Sequence, residues 1–199
     1  MNIVLATRNK KKVEEIKRIV RDMPVAIYTL DDFPGCPDVE EDGKTFEENA
    51  VKKARAVSKY TKTPALADDS GLEVDALAGE PGVFSARYAG EGADDRKNYE
   101  KLLREMSSVP DGKRGARFVC VLALAFPDSR VETFSGYAEG LIGRKPKGAD
   151  GFGYDPVFYP QGYERTFAEM GDKEKDLLSH RGMALGGLYA YIKAVHKKN

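Results

Sequence analysis

The chain begins MNIVLATRNKKKVEEIKRIV (residues 1–20), and the spacing of its apolar residues changes after the first six positions. Ile3 to Ala6 form a short apolar run of the kind that makes a buried strand. Beyond this run the apolar residues recur at helical spacing, at Val13, Ile16, Ile19 and Val20. The opening therefore predicts a strand, a turn and a helix in succession.

The predicted turn is polar and basic, and it contains Thr7, Arg8, Asn9, Lys10, Lys11 and Lys12. A helix N-terminus has unpaired amides and a partial positive charge, so it stabilises an anion such as a phosphate. Lysines in the first helical turn oppose the helix dipole, and an anionic ligand removes that conflict. The turn is a candidate phosphate site. The alternative is a solvated basic face with Thr7 or Asn9 as the helix cap.

Two adjacent carboxylates, Asp68 and Asp69, follow the apolar run 64–67 and precede Ser70 and Gly71. The pattern predicts a strand over 65–67 that ends in a turn. Like charges side by side at the rim of a core cost free energy unless a cation or a proton lies between them. The pair therefore indicates a metal ion, and the alternative is an ordinary solvated turn.

A second acidic run precedes a predicted helix from Thr45 to Tyr60 and consists of Asp38, Glu40, Glu41 and Asp42. The Thr45 hydroxyl and Glu48 have the spacing of a capping box. Oxygen ligands without nearby His or Cys suit Mg²⁺, which takes one or two protein carboxylates together with substrate phosphates. Alone, this run is typical of a solvated loop. It gains significance only if it lies near Asp68 and Asp69.

A third group of residues is the stretch 151–156, Gly-Phe-Gly-Tyr-Asp-Pro, followed by Lys173, Lys175, Ser179, His180 and Arg181. Glycines beside an aromatic ring allow a flat ligand to approach, so Phe152 is a candidate to stack on a base and Asp155 to accept from a ring N–H. Donors from His180 and Arg181 favour a 6-keto purine over adenine. The alternatives are core aromatics at Phe152 and Tyr154 and a helix-terminal cation at His180.

The remaining pattern predicts a helix over 94–106, a long hairpin of strands 117–126 and 131–141, and a closing helix from Met183 to His196. No linker divides the chain, so a single domain over residues 1–199 is expected. Cys36 and Cys120 have neither metal-site spacing nor a disulfide framework.

The composition excludes several classes of function. The 199 residues include 32 Lys and Arg and 32 Asp and Glu, so the formal net charge is zero. No overall field recruits nucleic acid or an anionic membrane. No apolar stretch is long enough to span a bilayer, and no basic region with a signal core follows Met1. We therefore expect a cytoplasmic protein with neither a nucleic-acid nor a membrane partner.

Six motifs in this order resemble those of the inosine/xanthosine triphosphate pyrophosphatase family. They are Thr-x-Asn-x-x-Lys at 7–12, Thr-Phe-Glu-Glu-Asn-Ala at 45–50, Ala-Asp-Asp-Ser-Gly at 67–71, Ser-Ala-Arg-Tyr at 85–88, Gly-Phe-Gly-Tyr-Asp-Pro at 151–156 and Ser-His-Arg-Gly at 179–182. The similarity extends over nearly the whole chain. Arg8, where many members have Gly, is a departure in the phosphate turn.

The resemblance implies an α/β fold, with a twisted mixed β-sheet flanked by helices in two lobes and a central nucleotide-binding cleft. It also implies a homodimer. The implied activity is Mg²⁺-dependent hydrolysis of ITP, dITP and XTP to the nucleoside monophosphate and pyrophosphate, which removes deaminated purines from the nucleotide pool.

The same resemblance implies roles for individual residues. Asp69 would be the catalytic base and would bind the metal together with Glu40, with Glu41 as the neighbouring alternative. The implied substrate-binding residues are Thr7, Arg8, Asn9, Lys10, Lys11, Lys12, Ser70, Phe152, Gly153, Tyr154, Asp155, Lys175, His180 and Arg181.

Two other functions fit the same residues. A house-cleaning pyrophosphatase of the Maf type would use a similar basic turn and acidic pair on other nucleotides. A nucleotide sensor without catalysis would be stabilised by nucleotides and release no pyrophosphate. The sensor gives no reason for two carboxylates in one site.

Overall fold

The structure is a computed structural model and describes residues 1–196. Within them lie the strands β1 (Asn2–Leu5), β2 (Ala26–Tyr28), β3 (Ala65–Val74), β4 (Gly115–Ala125), β5 (Val131–Ile142) and β6 (Phe158–Pro160). The α-helices are α1 (Lys10–Ile19), α2 (Phe46–Thr61), α3 (Asp95–Glu105), α4 (Asp172–Leu178) and α5 (His180–His196). Residues 197–199 of the predicted domain 1–199 lie outside the described residues.

The strands form one six-stranded sheet in the order β2-β1-β3-β4-β5-β6. β1 pairs in parallel with both β2 and β3, whereas β5 and β6 are antiparallel. Parallel neighbours need a crossover, and α1 supplies it between β1 and β2. The mixed sheet with flanking helices confirms the predicted α/β class, and the neighbouring β4 and β5 confirm the predicted hairpin strands.

Two compact units divide the chain, and neither is continuous in sequence. Unit 1 comprises Met1–Asp69, Cys120–Gly136 and the residues from Arg181 onward, and unit 2 comprises Ser70–Val119 and Tyr137–His180. Each unit has its own buried cluster of apolar side chains. Members of the unit 1 cluster include Ile3, Leu5, Ile16, Leu122 and Leu188. Members of the unit 2 cluster include Leu72, Leu102, Phe118, Phe158 and Phe167.

The start of α2 matches its sequence signal closely. The Thr45 hydroxyl accepts a hydrogen bond from the Glu48 amide at 3.1 Å, which confirms Thr45 as the cap. The Glu48 carboxylate accepts from the amide of Lys44 at 2.6 Å, one residue before the position that a capping box uses. Both bonds satisfy amides that would otherwise lack a partner at this helix end.

β3 corrects the predicted end of a strand after Ala67. The strand continues to Val74, so Asp68 and Asp69 lie within it and Ser70 and Gly71 do not form the predicted turn. Asp, Ser and Gly are rare in strands, which is why the local pattern predicted a turn. Distant cations that pair with both carboxylates stabilise the extended chain here.

Two helices also differ from the prediction. The closing helix begins at His180 rather than Met183, and the short helix α4 was not predicted at all. α4 spans seven residues, too few to show a repeated apolar stripe. None of the helices in residues 1–196 is both long enough and apolar enough to cross a membrane.

Candidate active site

The turn between β1 and α1 contains a capped helix N-terminus. The Asn9 side chain accepts from the Lys12 amide at 3.2 Å, and the Asn9 amide donates to the Thr7 hydroxyl at 3.2 Å. Asn9 is therefore the cap that the sequence offered as an alternative. The first turn of α1 holds three lysines and no acidic residue. The cap and the basic turn coexist, so the cap does not remove the attraction of this helix end for an anion.

Arg8 connects this turn to the acidic loop before α2. Its guanidinium donates to the Asp38 carboxylate at 2.6 Å and to the Cys36 carbonyl at 2.8 Å. The pair with Asp38 is exposed, so it contributes little to stability. Beside it lies a cavity of about 230 Å³ within unit 1, lined by Ala6, Thr7, Arg8, Leu30, Pro37, Asp38, Val39, Glu41, Lys53 and Val57.

Asp68 lies in the interior of unit 1 with a side chain that is fully buried. Its carboxylate accepts from the Lys12 ammonium at 2.5 Å, from the Arg181 guanidinium at 2.7 Å and from the Cys120 thiol at 3.3 Å. Burial alone raises the pKa of Asp68, but the charges of Arg181 and Lys12 outweigh it and hold that pKa well below its ordinary value. Asp68 is therefore an anion that two cations neutralise.

Asp69 belongs to a second cluster, because successive side chains of a strand point to opposite faces. Its carboxylate accepts from the Lys53 ammonium at 3.0 Å, and Lys53 also donates to the Glu41 carboxylate at 2.7 Å and to the Asp68 carbonyl at 2.9 Å. Burial raises the pKa of Asp69, and the opposing charges of Lys53 and Lys12 do not cancel that effect. A carboxylate with a raised pKa suits a general base.

The acidic loop supplies one carboxylate to this cluster. Glu41 contacts Lys53 directly, whereas Glu40, the predicted metal ligand, is exposed. The geometry therefore joins Glu41 to Asp69, and the role of Glu40 stays a prediction. In residues 1–196, His, Cys, Asp and Glu side chains form no group of three that could hold a metal ion unaided. The oxygen donors that are present suit a hard cation that takes its other ligands from substrate and water.

Unit 2 contains the residues predicted to bind the base. The Asp155 carboxylate accepts from the Lys175 ammonium at 2.7 Å and from the Phe152 amide at 2.8 Å, and both charged side chains are buried. The Lys175 ammonium also lies 4.8 Å from the centre of the Phe152 ring. Lys175 comes from α4, so the helix that the sequence did not reveal positions one of its predicted site residues.

The glycine-rich loop folds around Asp155. Gly151 has a φ of +73°, and a side chain there would collide with the Asp155 carboxylate. Tyr154 is only 3% exposed and belongs to the core cluster of unit 2, as the core-aromatic alternative predicted. Its hydroxyl donates to the Ser85 carbonyl at 2.8 Å. Phe152 and Gly153, in contrast, are half-buried.

Two of the points where the chain passes between the units lie next to predicted site residues of unit 2, Ser70 and His180. Unit 1 ends at Asp69 and Ser70 follows it, while His180 precedes Arg181 of unit 1. The His180 imidazole stacks on the Phe118 ring, with centroids 4.7 Å apart and planes 8° from parallel. His180 is the first residue of α5, so it lies at a helix terminus, as the alternative suggested.

Arg181 is 1% exposed, and its guanidinium bridges two carboxylates of unit 1. It donates through Nε to Asp68 and through Nη1 to Glu15 at 2.9 Å. Through these contacts Arg181 orients Asp68. Its contact with a base stays a prediction.

Sequence reasoning missed Lys53, Glu15, Cys120 and Phe118. Two of them leave a signal in the helical pattern. Lys53 falls on the same face of α2 as Phe46, Ala50 and Val57, and Glu15 lies next to Ile16 on the buried side of α1. A charged residue on the apolar face of an amphipathic helix needs a buried partner. That requirement identifies both residues as candidates.

Comparison with known proteins places the chain in a family. The family model described as the Ham1 family matches residues 3–191. The dITP/XTP pyrophosphatase of Desulforamulus reducens is 52% identical over 185 residues, which cover 93% of this chain and 92% of that protein. The dITP/XTP pyrophosphatase of Geobacter sulfurreducens is 53% identical over 190 residues, 96% of each chain.

Solved structures agree with this result. A HAM1 protein from Coxiella burnetii superposes with a TM-score of 0.89 at 43% identity, covering 98% of this chain and 99% of the other. The nucleoside-triphosphatase, or dITP/XTP pyrophosphatase, of Mycobacterium abscessus gives a TM-score of 0.78 at 47% identity, covering 94% and 98%. These matches confirm the family resemblance of the six motifs, and the chain belongs to the Ham1 family.

Proposed function

We propose that this protein hydrolyses the non-standard purine triphosphates ITP, dITP and XTP to the nucleoside monophosphate and pyrophosphate, and that it thereby removes deaminated purines from the nucleotide pool. One observation carries the proposal. Lys12 and Lys53, from two different helices, converge on the consecutive carboxylates Asp68 and Asp69. Near full-length relatives named dITP/XTP pyrophosphatase support the choice of substrate.

The triphosphate is bound by unit 1 in this proposal. Backbone amides at the start of α1 and the side chains of Thr7, Arg8, Asn9, Lys10, Lys11 and Lys12 surround its negative charge. Asp69 accepts a proton from a water molecule that attacks the α-phosphorus in line with the departing pyrophosphate. The lysines stabilise the charge that develops on the leaving group.

A divalent cation, Mg²⁺, completes the proposed site. The residues of the site fit a divalent cation, because oxygens of Glu41, Asp68 and Asp69 already surround one positive charge, the buried Lys53 ammonium. Asp69 and a glutamate of the acidic loop, Glu40 or Glu41, would hold Mg²⁺, and oxygen donors exclude a preference for zinc. When bound, Mg²⁺ supplies charge neutralisation for the phosphate oxygens.

The base is bound by unit 2 in this proposal, through Ser70, Phe152, Gly153, Asp155, Lys175 and His180, while Tyr154 fixes the loop through its hydrogen bond to the Ser85 carbonyl. Phe152 stacks on the purine and Asp155 accepts its ring N–H. The Lys175 ammonium and the His180 imidazole donate to a 6-keto oxygen, which adenine lacks. Arg181 has one of two roles in this proposal. It donates a further hydrogen bond to the base, or it holds Asp68 and thereby orients Lys12.

Product analysis over a panel of triphosphates tests this function. The protein is incubated with Mg²⁺ and with ITP, dITP, XTP, GTP or ATP, and the products are separated by anion-exchange chromatography. We expect monophosphate and pyrophosphate from the first three, with kcat/KM for ATP lower by at least about tenfold. Cleavage of other nucleotides alone would favour a Maf-type enzyme. Thermal stabilisation by ITP without pyrophosphate release would favour a sensor.

We also propose that the enzyme is a homodimer that acts in the cytoplasm, as the sequence resemblance and composition led us to expect. Light scattering during size-exclusion chromatography tests the dimer, and fractionation of the source cells tests the location. A monomer mass at micromolar concentration would contradict the first statement.

A further inference from the structure

The Lys53 ammonium lies between the carboxylates of Glu41 and Asp69. An ammonium group has three donors, and here each meets an oxygen, from Glu41 at 2.7 Å, from the Asp68 carbonyl at 2.9 Å and from Asp69 at 3.0 Å. The side chains of Lys53 and Asp69 are 10% and 9% exposed, so water contributes little to their solvation. Lys53 is the principal charge compensating Asp69.

Charges and burial make this contact strong. The Lys53 ammonium forms ion pairs with two carboxylates, at 2.7 Å with Glu41 and at 3.0 Å with Asp69. A second cation that uses the Asp69 carboxylate meets both the repulsion of this ammonium and an oxygen already engaged.

We propose that Lys53 competes with the divalent cation for the Asp69 carboxylate and so keeps the metal affinity of the nucleotide-free protein low. The inference rests on the proposed function, in which Asp69 binds the metal. Binding of the divalent cation to Asp69 requires the Lys53 ammonium to leave the Asp69 carboxylate. A polyphosphate offers the released ammonium a new anionic partner, so nucleotide and metal bind with positive coupling.

Metal binding without turnover tests the inference directly. Mn²⁺ affinity is measured by electron paramagnetic resonance for the wild type and for Lys53→Met, with no nucleotide present. An unbranched neutral side chain removes the competitor, and we expect binding to tighten by at least about tenfold, because only the fraction of protein with Asp69 released is competent. Lys52→Met is the control, since Lys52 pairs with Asp42 at 2.6 Å on the exposed side of the same helix.

A second control separates competition from a general loss of positive charge. Lys12→Met also removes one positive charge that acts on Asp69, but the Lys12 ammonium bonds to Asp68 and takes no part in the contact between Lys53 and Asp69. Equal tightening in Lys12→Met and Lys53→Met would overturn the inference. In the wild type, a non-hydrolysable ITP analogue should tighten Mn²⁺ binding more strongly than it does in Lys53→Met.

The wild-type protein gives an independent readout that does not depend on the folding of a variant. In ¹⁵N-detected NMR of the lysine ammonium groups, the Lys53 resonance should shift when Mg²⁺ is added, while the Lys52 resonance should keep its chemical shift. A Lys53 resonance unchanged at saturating Mg²⁺ would overturn the competition.

The outcomes separate the inference from the proposed function. If Lys53→Met binds Mn²⁺ as the wild type does and Asp69→Asn abolishes binding in both backgrounds, the competition is wrong and the metal site stands. If neither protein binds Mn²⁺ even with the nucleotide analogue, the metal-dependent function itself is contradicted, and the inference with it.

Discussion

The Lys12 ammonium contacts the Asp68 carboxylate at 2.5 Å, although the two residues lie 56 positions apart in the sequence. Lys12 belongs to the first turn of α1, where a cation is disfavoured by the helix dipole. Asp68 lies in a strand, where buried carboxylates are rare. Each residue is unfavourable in its own element, and each compensates the charge of the other.

Replacing Asp69 by asparagine should abolish most of the activity while preserving the fold. The amide has the same shape but neither accepts the proton of water nor carries a negative charge, so we expect kcat for ITP to fall by at least about a hundredfold. The asparagine oxygen can still accept a hydrogen bond from Lys53, and Glu41 remains paired with that ammonium, so the variant should keep the wild-type fold by circular dichroism. Wild-type kcat in Asp69→Asn with Mg²⁺ present would contradict the role of this residue.

Replacing Asp68 by asparagine should, in contrast to Asp69→Asn, cause a large loss of stability. The change leaves the buried charges of Lys12 and Arg181 without their shared partner, and we expect a loss of about 3 to 5 kcal/mol in urea unfolding at pH 7. Asp38→Asn is the control, because its exposed pair with Arg8 should cost less than about 1 kcal/mol. Equal losses in the two variants would refute the difference in burial that the structure shows.

The stabilisation from Asp68 should depend on pH with a definite sign. The folded pKa of Asp68 lies well below its ordinary value of 3.8, so its contribution is fully present above that value. The contribution is lost as the pH falls from 3.8 through the lower folded pKa. Asp68→Asn should therefore be less sensitive than the wild type to acid below pH 3.8. Urea unfolding of both proteins over a pH series checks this, and parallel curves would contradict it.

Arg181 should not tolerate lysine. Its planar guanidinium donates through Nε to Asp68 and through Nη1 to Glu15, and a single ammonium cannot reproduce this fork. We expect Arg181→Lys to lower the free energy of unfolding by about 2 kcal/mol. Arg130→Lys, in an exposed pair with Asp128, should change it by less than about 0.5 kcal/mol. A stable Arg181→Lys protein would mean that the buried fork contributes little.

Lys175 should control selectivity for the base. Removing its ammonium with Lys175→Met deletes a donor beside Asp155 and Phe152, so the ratio of kcat/KM for ITP to that for ATP should fall by at least about tenfold. The ratio is measured in one preparation and does not depend on the folded fraction. Lys173→Met, at an exposed position of the same helix, should leave it unchanged. An unaltered ratio in Lys175→Met would remove Lys175 from base recognition.

The sequence predicted secondary structure best where an element is determined by its own residues. The strand and helix of residues 2–19 and the Thr45 cap follow from apolar spacing and from a hydroxyl three residues before a glutamate. β3 could not be predicted beyond Ala67, because its extension through two aspartates depends on Lys12, Lys53 and Arg181, which come from other parts of the chain.

The same reason explains what was missed in the site. Lys53 and Glu15 have partners 16 and 166 positions away, so the helical pattern shows that each needs a buried partner but not which residue supplies it. The pairing of Asp68 and Asp69 suggested one metal ion between them. The metal stays a prediction, while the structure pairs Asp68 with Lys12 and Arg181 and pairs Asp69 with Lys53, since adjacent strand residues point to opposite faces.

Hydrolysis of ITP in water enriched in ¹⁸O tests the proposed reaction most directly. With Asp69 activating water for attack on the α-phosphorus, mass spectrometry should find one ¹⁸O atom in the inosine monophosphate and none in the pyrophosphate. Label in the pyrophosphate, or release of orthophosphate in place of pyrophosphate, would show that water attacks another phosphorus and would contradict the assignment of this site.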